Sequence, residues 1–238
     1  MLLFYVRHGD PIYKPDSLTP KGEIQAAALV DRMTRFGLDE IYVSPSNRAL
    51  QTAEPTCQKL GMTPTVLEWC KEHYAYSDFS VRGKDGHTHW VFQDDDYCRL
   101  MVSPEIRKLD REWYLHEAFS VNNFEKGYER IQQETYNFME QLGYRHRAED
   151  FCYDAINPNE RRIALFAHQG FGLAFLSCLL DVPYPMMCTH FDMGHTGVTV
   201  IEFKETLGIV IPKVLQLSND SHLYHAGLST DYQNRILI

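Results

Sequence analysis

The 238-residue chain has no apolar run long enough to cross a bilayer. The N-terminal stretch Leu2-Leu3-Phe4-Tyr5-Val6 is only five residues and ends at Arg7, so a signal peptide is not expected either. Basic residues are in deficit, with 23 Lys and Arg against 32 Asp and Glu and a formal net charge of −9. That balance argues against nucleic acid or an anionic membrane as the main partner, because both require basic surface. It does not exclude a small anionic substrate, which a few arginines can hold locally. None of the six cysteines (Cys57, Cys70, Cys98, Cys152, Cys178, Cys188) forms a CxxC pair. A redox motif or zinc ribbon is therefore not expected, and the thiols read as reduced core fillers of a cytoplasmic protein. Gly170-x-Gly172 lacks the third glycine of a dinucleotide fingerprint, and there is no GxSxG nucleophile elbow. Internal repeats and low-complexity segments are also missing.

What is present is an ordinary globular composition, 44% hydrophobic and 23% charged, at a length that suits one domain with an insertion. Leu2–Val6 reads as a buried strand. Asp10–Ser17 reads as a loop. Thr19-Pro20 supplies an N-cap and a first-turn proline for a helix that runs to about Gly37. Glu40–Ser44 is a second strand, followed by a helix from about Arg48 to Leu60 that Gly61 stops. Thr65–Leu67 is a third strand. From Glu68 to about Asn123 the regular pattern fails, and an insertion with some helix of its own is expected, capping the site from about 69 to 123. Helical spacing returns over Phe124–Leu142. Arg145–Arg161 reads as a polar surface loop, Ile163–Phe166 as a buried strand and Phe171–Leu180 as a buried helix. Val198–Phe203 and Ile209–Leu217 are two late strands, and pairing of these between subunits in a homodimer is left open. This alternation predicts a single α/β unit over 1–238, a three-layer α/β/α sandwich on a mostly parallel sheet.

In such sheets ligands collect beyond the carboxyl ends of the strands. Three of the expected strands end at chemically loaded residues: Arg7-His8-Gly9, Ser44-Pro45-Ser46-Asn47-Arg48, and Ala167-His168-Gln169-Gly170. Taken singly, Arg7 and Arg48 read as solvated arginines and His168 as a hydrogen-bonded core histidine. Together they would bring two arginines, two histidines and two helix N-termini to one pocket, a combination that suits a dianionic phosphoryl group.

On Arg7-His8-Gly9, Leu18-Thr19-Pro20-Lys21-Gly22, Ser44–Ala53 and Ala167–Gly170, the chain resembles the histidine phosphatase superfamily, the phosphoglycerate-mutase-like group. The resemblance implies that His8 attacks phosphorus and forms a phosphohistidine. It implies that Arg7, Arg48 and His168 bind the phosphoryl oxygens, and that neutral His8 needs its other ring nitrogen tied to an acceptor such as a carbonyl. A carboxylic acid then protonates the leaving oxygen and later activates water. Glu68, just past the third strand, is the first choice for that acid. Glu72 is the alternative, because Glu72-His73-Tyr74 echoes the acid motif of the mutases. No metal or other cofactor is implied, since the arginines carry the charge.

The expected activity is hydrolysis of a small phosphorylated substrate. A phosphoglycerate mutase is the alternative, disfavoured because Asp10–Ser17 contains no Asn and Ala75 stands where the mutase run has Gly. A catalytically inactive binding protein is a third reading, disfavoured because nucleophile, arginines, second histidine and candidate acids are all present. The pairs His87/His89, His190/His195 and His222/His225 match no standard zinc spacing and read as surface or hydrogen-bonding residues. Asp94-Asp95-Asp96 reads as a solvated face. Tyr74, Tyr76, Phe79, Trp90, Phe92 and Tyr97 line either a leaving-group pocket or the core of the cap.

Overall fold

The structure is a computed structural model that describes residues 1–230. The last eight positions of the expected 1–238 domain, 231–238, lie outside the described residues. The central sheet contains β1 (Leu2–Arg7), β2 (Glu40–Val43), β3 (Thr65–Val66), β4 (Arg162–Ala167), β5 (Val198–Glu202) and β6 (Lys213–Asn219). Their spatial order is β6-β5-β1-β4-β2-β3. β1, β4, β2 and β3 run parallel, with Leu2 opposite Arg162 and Arg7 opposite Ala167. β5 and β6 complete the other edge antiparallel. The two late strands thus pair with each other inside one chain.

Burial on both faces explains the continuous apolar character of β1 and β4. Alternate residues go to opposite layers. Phe4 and Val6 pack with Leu29, Met33 and Ala53 from α1 (Pro20–Phe36) and α2 (Asn47–Leu60). Leu3 and Tyr5 pack on the other side with residues of α4 (Phe124–Gln141) and α5 (Gln169–Leu180), the helices that follow α3 (Glu72–Phe79) in the chain. This is the expected three-layer sandwich on a mostly parallel sheet.

Local sequence sets the helix ends. The Thr19 side chain accepts the Gly22 N–H at 3.0 Å, Pro20 opens α1, and Gly61 closes α2 in the left-handed region at φ +64°. Ser46, the N-cap of α2, offers no side-chain bond. The Asp16 carboxylate takes the Asn47 N–H instead, at 2.8 Å, from a neighbouring hairpin.

The insertion folds as α3, a two-stranded ribbon (Ser80–Arg82 with Thr88–Trp90) and several short helices. Its aromatic residues Phe79, Trp113 and Phe119 share one hydrophobic cluster with Phe124 of α4, with α5 and with the sheet. Arg111–Asp181 and Arg130–Asp78 ion pairs, both at 3.0 Å, tie it down further.

Three loop and strand expectations change. Asp10–Ser17 is not open loop but takes part in a ribbon, Pro11–Tyr13 with Asp16–Leu18. Arg145–Arg161 is not all surface loop, because Tyr144–Arg147 and Cys152–Ala155 are strands of a small antiparallel sheet with Ile209–Val210 and Glu205–Thr206. Only Tyr144, Cys152 and Tyr153 are fully buried there, too few to write an alternating pattern. The expected strand Ile209–Leu217 divides at Pro212, which has no N–H for a ladder. Ile209–Val210 joins the small sheet and Lys213–Asn219 the large one. Among the described residues no helix is long and apolar enough to cross a membrane.

Candidate active site

The parallel register places the ends of β1, β2 and β4 side by side. His8 N–H bonds Ala167 O and Ser44 N–H bonds Phe166 O, each at 2.9 Å. Arg7, His8, Arg48 and His168 are all buried, His168 completely. The His8 and His168 rings lie edge to face with centroids 5.2 Å apart. The sheet thus brings these four residues together as the strand-end rule anticipates.

His8 Nδ1 lies 2.7 Å from the Gly9 carbonyl oxygen. A carbonyl only accepts, so Nδ1 carries the proton and Nε2 keeps its lone pair. Burial, then the Arg7 charge, holds the His8 pKa well below its ordinary value, so the ring is neutral at neutral pH. The glycine serves backbone crossing: a Cβ on Gly9 would sit 2.8 Å from Gly22 O, and one on Gly22 would sit 2.3 Å from Asp10 O. The nucleophile loop and the start of α1 can touch only because both residues lack side chains.

Each arginine is anchored from behind. Arg7 donates through Nη1 to Met193 O, and its Nη2 lies 3.1 Å from His195 Nε2. Arg48 Nη1 pairs with Asp16 Oδ1 at 2.7 Å, with the Tyr13 ring 5.3 Å from its guanidinium carbon. His168 Nε2 is 2.7 Å from Ser44 Oγ, and its backbone is clasped by the Tyr5 hydroxyl. Arg7 Nε, Arg48 Nε and His168 Nδ1 are buried with no hydrogen-bond partner among the described residues. Buried polar atoms ordinarily find partners. Three such atoms fall in this one cluster.

The two candidate acids separate cleanly. β3 is only two residues long, and Leu67 N–H bonding to Val43 O ends its register. A 3₁₀ turn over Glu68–Cys70 then buries Cys70 and leaves Glu68 exposed, with no side-chain bond to the cluster. Glu72, at the start of α3, turns its carboxyl inward instead. Gly170 N–H reaches Oε1 at 3.1 Å and Phe171 N–H reaches Oε2 at 3.0 Å. Burial pushes the Glu72 pKa up, opposed by the Phe171 N–H and by Arg48 and Arg7. The preference for Glu68 therefore lacks geometric support, and Glu72 is the carboxyl at the cluster.

Sequence reasoning missed His195 and Asp16. His195 lies with its ring centroid 5.8 Å from that of His8 and its Nδ1 3.5 Å from Asp10 Oδ1. Burial, then Arg7, lowers its pKa to about 4. No sequence signal marked it: only because β5 runs antiparallel do the residues just before Val198 lie at the edge where the parallel strands end. The other histidines stay out of the cluster. His89 pairs with Asp85 on the surface, and His222 is buried against Thr196. Among the described residues no group of three or more His, Cys, Asp or Glu side chains is arranged to hold a metal ion. Asp94 caps a short helix and Asp96 pairs with Lys84, so this part of the acidic run has local structural work. Of the insertion aromatics, Phe79 is core, whereas the Trp90 ring packs on Gly170, where a Cβ would come within 2.3 Å of it.

Residues 3–77 match the family described as the histidine phosphatase superfamily (branch 1). Among solved structures, the chain is similar to phosphoserine phosphatase from Entamoeba histolytica in complex with 3-phosphoglyceric acid. Identity is 19% and the TM-score 0.59, over 93% of this chain and 98% of that one. A mycobacterial glucosyl-3-phosphoglycerate phosphatase is 17% identical, TM-score 0.58, over 91% and 98%. An Escherichia coli protein described as a putative alpha-ribazole-5'-P phosphatase is 17% identical, TM-score 0.59, over 92% and 97%. No curated protein sequence matches the chain. The resemblance read from the motifs is thus met both by the family match over the first third and by the fold.

Proposed function

We propose that this chain hydrolyses small phosphomonoesters through a phosphohistidine on His8, without needing a metal. The observation that carries the reading is the His8 lock: Nδ1–H held by Gly9 O, with the Nε2 lone pair left among two buried arginines. Nε2 attacks phosphorus as the P–O bond to the leaving group breaks. Glu72, protonated, gives its proton to the departing oxygen, so the alcohol leaves neutral. Water then attacks the phosphohistidine, Glu72 takes its proton, the P–N bond breaks, and His8 and inorganic phosphate are released. Arg7, Arg48 and His168 direct donors at the phosphoryl oxygens throughout, where charge builds in the transition state. The superfamily match over residues 3–77 and the likeness to solved phosphatases support this reading. The free thiols fit a reducing compartment, and a cytoplasmic setting is part of the proposal.

The test is metal-free hydrolysis of p-nitrophenyl phosphate and of alkyl phosphates, with acid-quench detection of an acid-labile protein phosphate. His8→Ala should abolish both activity and the covalent phosphate, and retained activity would overturn the mechanism. Glu72→Gln should cost roughly 10²–10⁴-fold on alkyl phosphates and far less on p-nitrophenyl phosphate, whose leaving group needs no acid. The reverse pattern, with Glu68→Gln the damaging change, would restore Glu68. Given a phosphorylated hydroxy acid, release of free phosphate in place of an isomer separates this reading from a mutase.

A further inference from the structure

A cavity of about 260 Å³ lies against the first turn of α5, lined by Phe92, Gln93, Gln169, His190, Phe191 and Asp192 among others. Two links join it to the phosphoryl cluster, none of whose residues lines it. Gln169 directly follows His168, and the Asp192 charge acts on buried Arg7, opposing the lowering that burial imposes. Gln169 Nε2 donates to Asp192 Oδ1 within the cavity lining. The insertion side of the wall also reaches the acid. Phe92 stacks on Trp90 with centroids 5.4 Å apart, Trp90 covers Gly170, and the Gly170 N–H holds Glu72. The cavity wall is thus connected through Phe92 and Trp90 to the turn that holds the Glu72 carboxyl.

The charge of the lining is one-sided. It contains one carboxylate, Asp192, one imidazole, His190, and no Lys or Arg. Asp192 Oδ1 is occupied by Gln169 and by the Met193 N–H at 2.6 Å, while Oδ2 takes no bond among the described residues. Two phenyl rings, Phe92 and Phe191, line the same cavity. The volume is below the range that drug-sized ligands occupy, so the group it takes is small.

We propose that this cavity is the leaving-group subsite and that it selects an ammonium-bearing amino-alcohol over a leaving group with a second anion. The proposal rests on the phosphomonoesterase reading above. An ammonium gains a charge-assisted bond to Asp192 Oδ2 and the faces of the two rings. A carboxylate or second phosphate meets the Asp192 charge with no Lys or Arg on the lining to offset it.

Three probes of nearly equal size test it: phosphoethanolamine, 2-hydroxyethyl phosphate and phosphoglycolate, with a cationic, neutral and anionic end. His8-dependent kcat/KM should fall in that order, with at least tenfold between the ends. Asp192→Asn should narrow that span to less than threefold. The span is a ratio within one variant, so it does not depend on how much of the variant is folded. Equal rates, phosphoglycolate as the best substrate, or a span that Asp192→Asn leaves unchanged would each overturn the subsite while leaving the phosphatase reading intact. If neither these probes nor p-nitrophenyl phosphate shows His8-dependent turnover, the phosphatase reading fails. Calorimetric binding to the wild-type chain then decides the subsite: tighter phosphoethanolamine than phosphoglycolate supports it, and equal or undetectable binding overturns it.

Discussion

His8 is kept neutral by burial and by the neighbouring Arg7 charge, while the Gly9 carbonyl on Nδ1 fixes the tautomer and by itself works the other way. Glu72 is shifted the opposite way, its carboxyl raised by burial. The pair therefore opens a working range between them. The acid limb of kcat/KM on alkyl phosphates should lie well below pH 6.5, where His8 protonates. The alkaline limb marks loss of the Glu72 proton and should lie above the ordinary Glu value. With p-nitrophenyl phosphate the alkaline limb should flatten, which pH–rate profiles of the two substrate types will show. His195 stands behind Arg7 as an acceptor. His195→Ala should lower kcat/KM by roughly tenfold, the cost of about 1.4 kcal/mol when a bond to a charged group is lost. His195→Asn, which restores an acceptor oxygen, should recover part of that loss.

Among the elements, α5 carries the most constraint. Its first turn holds the Glu72 carboxyl with two N–H groups and lies under Trp90. Gly170→Ala places a methyl 2.3 Å from the Trp90 ring, closer than any real contact, so the ring and its ribbon must move. Turnover of alkyl phosphates should fall by more than that of p-nitrophenyl phosphate, because the acid is displaced with the turn, and steady-state kinetics on both will read this. The α2 helix is capped from outside by Asp16, which also holds Arg48. Neither role was legible in sequence, since Asp16 looked like one more polar residue of a loop. By contrast the caps of α1 and the stop of α2 were legible, because Thr19, Pro20 and Gly61 act on their own neighbours.

For the molecule as a whole, four histidines are held neutral, three of them buried and His195 half-buried. His8 and His168 have pKa values well below the ordinary one, and His195 and His222 titrate at about 4. In the unfolded chain each binds a proton near pH 6.5. Between 6.5 and 4 the unfolded state holds more protons, so stability rises with pH there. This contribution is fully present above pH 6.5 and is lost as pH falls toward 4. Glu72, raised, works with the opposite sign, as one group against four. The melting temperature should therefore drop from pH 7.5 to pH 5. His222→Gln should flatten the slope, removing on the order of 3 kcal/mol of acid sensitivity by pH 4. Thermal melts of both proteins across that range check it.

Sequence alone determined what depends on neighbours along the chain. It set which segments are strands buried on both faces, where α1 and α2 begin or end, and that Arg7, His8, Arg48 and His168 stand at strand ends. The strand-end rule then converts order along the chain into proximity. Only the tertiary structure decided what depends on the direction of a side chain across elements. A two-residue edge strand and a 3₁₀ turn put Glu68 outside and Glu72 inside. An antiparallel strand entering from the far side delivered His195, and Pro212 divided one expected strand between two sheets. These choices turn on single hydrogen bonds and contacts between residues far apart in the chain, and no local periodicity encodes them.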